Sequence, residues 1–269
     1  MTEVDIQMKQ QQLKLIGFII IGVLLLCNPL DWSAEAAGKP ENSTQHPRLM
    51  VIFVDMSASA DQLRRTVCKD AFEKIYRSLR QGDRVVVGTI TSQSYIEFKP
   101  TVDEEIPKKT VWDNRLQYEK KLTDTKEKIR REVNKLLSQK QGTPLTEILD
   151  SLNIADTIFH DETERQKVLV LLSDMIQDSK EYKFDKDKIT DEYINNIIHY
   201  RQKNKLMPNL ANAKVYVAGA SAADSEKFRS VQAFWARYFT ESGADFSPHR
   251  YGHSLINFEN GPQPKPASK

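Results

Sequence analysis

The sequence predicts an α/β fold: a doubly wound, mainly parallel central sheet with one short antiparallel edge strand and helices on both faces. Three observations carry this. Apolar runs at 48–55, 84–91, 167–172 and 214–218 lack the polar alternation of a half-exposed strand, so each reads as buried on both faces. Segments with apolar residues at helical spacing separate them. Strands that alternate with helices return to the sheet in parallel, because the crossover is long enough to carry a helix.

Taken in order, RLMVIFVD (48–55) is the first strand. Leu63, Val67, Phe72, Ile75 and Leu79 then share one helical face, with Gly82 just beyond as a stop. RVVVGTIT (84–91) is the second strand, and 95–98 is a shorter one placed to pair with it as the antiparallel edge. Leu122, Ile129, Val133 and Leu136 mark a long helix over about 115–139, whose Lys and Glu run forms a solvated outer face. Leu145, Leu149, Leu152 and Ile158 make another helix, leading into KVLVLL at 167–172. A polar helix at about 189–203 precedes KVYVA (214–218), Phe228, Val231, Trp235 and Tyr238 lie on one face of a helix at 225–242, and 253–258 reads as a last strand.

The composition belongs to an ordinary globular protein: 269 residues, 39 basic and 37 acidic groups, 39% apolar. It excludes a disordered or collagen-like chain. A net charge of +2 gives no reason to expect nucleic acid as a partner. Residues 15–27 (LIGFIIIGVLLLC) are an unbroken run of 13, preceded by Lys9 and Lys14. That is short of the roughly 20 residues a spanning helix needs and suits the apolar core of an export signal. Ala34-Glu35-Ala36 supplies a small-x-small cleavage pattern. The division expected is therefore a signal peptide or N-terminal membrane anchor at 1–36, a linker at 37–47, the folded domain at 48–258 and a Pro-rich tail at 259–269. If the segment stays, it anchors through residues 15–30; either way the domain is placed outside the cytoplasm, secreted, periplasmic or anchored. Cleavage would remove Cys27 and leave Cys68 as the sole cysteine, so no intramolecular disulfide would form.

Ligands of such sheets gather at the carboxyl ends of the central strands. There the first strand ends in Asp55-Met56-Ser57-Ala58-Ser59 and the strand at 167–172 in Ser173-Asp174, while Gly142-Thr143-Pro144 opens a helix between them. Hydroxyls and carboxylates alone form an oxygen set suited to a hard cation such as Mg²⁺, and Mn²⁺ accepts the same ligands. Each of these residues also has a structural use, since Asp, Ser and Thr cap helices and form turns. Convergence at one end of one sheet is what capping leaves unexplained. The five histidines, at 46, 160, 199, 249 and 253, show no metal-ligand spacing.

These residues resemble the von Willebrand factor type A domain, whose metal-ion-dependent adhesion site reads Asp-x-Ser-x-Ser, then Thr, then Asp. Asp55, Ser57 and Ser59 match the first element, Thr143 the second and Asp174 the third. The resemblance implies that Ser57 and Ser59 bind Mg²⁺ or Mn²⁺ directly, that Asp55, Thr143 and Asp174 do so directly or through water, and that one position is left for an Asp or Glu of a protein partner. It departs from the family at Gln141 and Met175, where glycines are common. The function implied is cation-dependent protein binding without catalysis. A haloacid-dehalogenase-like phosphatase is the rival, with Asp55 as nucleophile, Thr89 or Thr91 on the phosphate, Lys167 as charge stabiliser and Asp174 with Asp178 on Mg²⁺. Ser57 stands against it, because a serine cannot exchange protons readily where that family uses a second Asp. A third reading keeps the fold with a degenerate metal site.

Overall fold

The structure, a computed structural model, describes residues 46–57, 62–91, 98–139, 142, 144–255 and 258. The proposed signal, most of the linker and the tail lie outside these residues, as do Ser59 and Thr143. The segment His46–Lys269 forms a compact unit separate from Met1–Gln45. Among the described residues both hydrophobic cores are built from Leu49 onward, so this segment carries its own packing.

Among the described residues six strands form one sheet in the order β3-β2-β1-β4-β5-β6. They are β1 (Arg48–Asp55), β2 (Arg84–Ile90), β3 (Val102–Glu105), β4 (Gln166–Leu172), β5 (Lys214–Ala218) and β6 (Tyr251–Gly252). All neighbours run parallel except β2 and β3. The helices are α1 (Gln62–Arg77), α2 (Arg115–Leu137), α3 (Ile148–His160), α4 (Asp191–Lys203) and α5 (Ser225–Glu241). β1 is buried along its whole length, as a strand covered on both faces must be. Its alternate residues enter two different cores. Met50, Ile52 and Val54 pack with Phe72 and Ile75 of α1 and Ile129 and Val133 of α2. Leu49, Val51 and Phe53 pack with α3, α4 and the aromatic face of α5, including Phe234, Trp235 and Tyr238. The doubly wound class is thus borne out.

Several element boundaries differ from those the sequence predicts. The antiparallel edge described is VDEE at 102–105; the expected segment 95–98 lies outside the described residues except for Phe98, which packs its ring against Phe53 at 6.0 Å. An edge strand exposes one face and one side, so β3 needs only Val102 inside and has no apolar run to announce it. The last strand is Tyr251–Gly252 rather than 253–258, although Phe258 still closes on Tyr216 at 4.8 Å. Leu63 is 64% exposed, so the buried face of α1 begins at Cys68, one turn later than the apolar spacing indicates. α3 starts at Ile148 rather than near Leu145 because Gln177, reaching in from another loop, accepts the N–H groups of Ile148 (2.8 Å) and Leu149 (3.1 Å). Those two donors would otherwise be orphaned at a buried helix start.

Candidate functional site

β1 and β4 are adjacent and parallel, so their carboxyl ends place Asp55 beside the Ser173-Asp174 turn. Asp55 is nearly buried and both its oxygens are engaged: Oδ1 accepts the N–H of Ser57 at 2.8 Å and Oδ2 the hydroxyl of Ser173 at 2.8 Å. Ser173 in turn accepts the N–H of Met175 (2.9 Å), which ties the two strand ends into one polar turn. Asp174 faces an open cleft of about 570 Å³ that Ser57, Arg64, Thr146, Asp178 and Asp185 also line. Ser221 to Ala223, after β5, close its far side.

Among the five residues the sequence singles out, Asp55, Ser57 and Asp174 are brought together. Ser59 and Thr143 lie outside the described residues, though Pro144, next to Thr143, lines the same cleft. Thr146, which the sequence reading passed over, is buried there, its N–H bonded to the Asp178 carbonyl (2.7 Å) and its own carbonyl accepting the Asp178 N–H (3.1 Å). No sequence signal marks it apart from its neighbour Thr143.

Met175 has φ 69° and no exposure. A left-handed backbone is what glycine allows without strain, and this is one of the positions where the sequence departs from the resembled pattern. Methionine is held there by burial, by the Ser173 hydroxyl on its N–H and by Trp235 Nε1, which donates to its carbonyl at 2.8 Å. Gly219, after β5, also has positive φ (97°), and a Cβ on it would lie 3.1 Å from the Ser173 carbonyl oxygen. Glycine therefore lets β5 approach the back of the site.

Two carboxylates and one guanidinium set the electrostatics of the site. Burial, and then the charge of Asp55, push the Asp174 carboxyl up to about 6, while Arg64 and the N–H of Ile176 pull it back. Arg64 Nη1 sits 2.8 Å from Asp174 Oδ2, with the two side chains 15% and 8% exposed. Arg64 comes from the first turn of α1 and was not among the residues the sequence pointed to. Its role is tertiary, and nothing in the local pattern QLRR separates it from a surface arginine. One turn further, the buried thiol of Cys68 is pushed up to about 12, chiefly by burial and also by Asp55 and Asp174, with Arg64 opposing. Cys68 is thus neutral packing beneath the site rather than a nucleophile.

Among the described residues, no group of three or more His, Cys, Asp or Glu is arranged to hold a metal. A cation here would have to take hydroxyl oxygens as well as carboxylates. Asp174 and Ser57 present such oxygens to one cleft, with Asp55 behind Ser57, and this donor set fits Mg²⁺ or Mn²⁺ chemically.

Lys167 is at the wrong end of the sheet for the phosphatase scheme. It pairs in register with Leu49, whereas Asp55 is six residues further along β1, about 20 Å away at strand rise. It lines a different cleft, with Glu162, Arg165 and Asn212. Asp178, assigned to the metal in that scheme, is paired with Lys183.

No protein-family model and no curated protein matches the sequence. Solved structures similar to it include a von Willebrand factor type A protein from Catenulispora acidiphila, at 12% identity over 74% of this chain and 42% of that one, TM-score 0.36. The manganese-loaded TRAP protein of Plasmodium vivax is 12% identical over 70% of this chain and 63% of that one, TM-score 0.40. The pilus adhesin SpaC of Lactobacillus rhamnosus GG, in its open conformation, is 13% identical over 73% and 30%, TM-score 0.40. This chain spans less than two thirds of each of the three.

Proposed function

We propose that the cleft at the carboxyl end of the sheet binds a protein partner through a divalent cation, Mg²⁺ or Mn²⁺, held by Asp55, Ser57, Ser59, Thr143 and Asp174. The protein acts outside the cytoplasm, released or anchored through residues 15–30, and it binds rather than catalyses. The observation that carries this reading is the meeting of Ser57 and Asp174, from the ends of two strands, on one cleft lined also by Asp178 and Asp185. Bound there, the cation would offer an open coordination position to an Asp or Glu of the partner.

The chain's own residues then have definite tasks. Asp55 orients the Ser57 backbone through its Oδ1 and is itself fixed by Ser173. Asp174 supplies the most buried carboxylate described in the cleft, and Arg64 offsets its charge only in part. Arg64 occupies Asp174 Oδ2, so a cation taking that oxygen would have to displace the guanidinium. Specificity for a partner falls to the loops around the cleft, 178–187 and 221–223.

The test is calorimetric titration of His46–Lys269 with MnCl₂ and MgCl₂, alongside hydrolysis of a generic phosphate ester. Saturable binding that Ser57→Ala abolishes, with no hydrolysis, supports the reading. Hydrolysis that depends on Asp55 would replace it with phosphoryl transfer.

A further inference from the structure

Away from the cleft, three of the six large apolar side chains that are well exposed among the described residues lie within six positions of one another: Val111 at 93%, Trp112 at 92% and Leu116 at 76%. Single exposed apolar residues are ordinary; a cluster that includes a tryptophan is not. The segment is held in a defined shape. Asp113 N–H donates to the Thr110 carbonyl (3.3 Å) and its carboxylate accepts the Thr110 N–H (2.6 Å), closing a β-turn with Val111 and Trp112 at its tip. Asn114 then caps α2, accepting the N–H of Leu116 at 2.9 Å, so Leu116 stands in the first helical turn beside the tip.

Charge surrounds this tip asymmetrically. Between Pro107 and Lys121 the sequence has five basic residues and two acidic ones. Both acids are committed locally, Asp113 to the turn and Glu119 to Arg115 at 2.8 Å. Lys109, Lys120 and Lys121 are exposed, and Lys120 follows Leu116 by one helical turn.

The position of the tip is equally specific. β3 runs antiparallel to β2 and delivers the chain to the amino end of the sheet, where Gly82 N–H bonds to the Ile106 carbonyl at 2.8 Å. Pro47, where the chain enters the domain, lies at the same place: a Cβ on Gly82 would meet both the Lys108 and Pro47 side chains. The Val111-Trp112 tip therefore shares the end of the sheet at which Pro47 enters β1, and the cleft occupies the other end.

We propose that this tip docks on an anionic bilayer surface, with Val111, Trp112 and Leu116 entering the interfacial layer and Lys108, Lys109, Lys120 and Lys121 meeting the headgroups. An indole and aliphatic groups are suited to that layer, and lysines around them are drawn to an anionic leaflet. The domain is then held with its cleft facing away from the membrane, whether or not the N-terminal segment is retained. The proposal does not depend on the metal reading.

The test is co-sedimentation of His46–Lys269 with phosphatidylcholine vesicles, with and without phosphatidylglycerol, while following tryptophan emission. Trp235 is fully buried, so a blue shift on binding reports Trp112. Binding should require phosphatidylglycerol. Val111→Ser with Trp112→Ala should weaken it about tenfold or more, and Lys108→Gln with Lys109→Gln roughly 20- to 30-fold. The altered side chains are exposed, and circular dichroism verifies that the variants fold. Absence of sedimentation, or binding that neither double variant reduces, overturns the proposal. So does lipid-free self-association lost with Val111→Ser and Trp112→Ala, which would assign the tip to a second copy of the chain.

Discussion

At the amino end of the sheet Arg48 pairs with Asp83, and at the carboxyl end Arg64 pairs with Asp174. The first pair has no solvent exposure, and its partners are numerous. Asp83 accepts the N–H groups of Arg48 (2.8 Å) and Arg80 (2.9 Å) as well as the guanidinium, while Arg48 also donates to the Ser78 carbonyl at 2.6 Å. The second pair lines a cleft. Among the described residues Asp174 accepts one backbone N–H, from Ile176, and it stands in the field of Asp55, which with burial raises its carboxyl. The same two side-chain types thus serve as a saturated staple in one place and as an under-neutralised anion in the other. What separates them is the number of donors and the access to water.

The largest expected effect tests the staple. Arg48→Leu leaves a buried carboxylate without its cation and should cost about 3–5 kcal/mol, read from urea unfolding. A loss under about 1 kcal/mol would show that the backbone donors alone hold Asp83, and the contrast between the two ends would collapse.

Next comes the pH dependence of the cleft. Asp174 in the folded protein titrates at about 6, above the ordinary carboxyl value of 3.8. Between those values the folded state binds the proton more tightly than the unfolded one. Stability from this group therefore falls as pH rises through the window and remains lowered above it, by roughly 2–3 kcal/mol. Asp174→Asn should remove that slope in metal-free thermal unfolding between pH 4 and 7. In the wild type, Mn²⁺ should raise the midpoint more at the upper end of that window than at the lower.

A smaller effect concerns Arg64. Because it competes with the cation for Asp174, Arg64→Gln should tighten Mn²⁺ binding about tenfold, close to 1.4 kcal/mol, and cost about 1–2 kcal/mol of metal-free stability, less than the loss at Arg48. Weaker Mn²⁺ binding in this variant would mean that Arg64 orients the site instead of obstructing it.

The same comparison explains what was legible in the sequence. Strands β1, β2, β4 and β5 were, because burial on both faces leaves an apolar run in the chain itself. β3 is not legible, because VDEE buries only Val102 fully and reads as a polar loop. Asp55, Ser57 and Asp174 could be found because each ends a legible strand. Arg64, Thr146 and Gln177 act across elements, and their importance comes from which loops the fold brings together. Met175 is an intermediate case: the sequence shows a methionine where glycine is common, and only the backbone shows why, a φ of 69° that burial and two hydrogen bonds sustain.

The most direct test of the central claim is titration of His46–Lys269 with MnCl₂, wild type against Ser57→Ala. Ser57 lines the cleft and is expected to be a direct ligand, and Ser57→Ala removes a single hydroxyl without opening the core, so the variant should fold. The account predicts saturable binding in the wild type and its loss in the variant with the unfolding midpoint nearly unchanged. Equal binding by the two proteins, or none by either, would contradict it and leave Asp55 and Ser57 as residues that shape the strand end alone.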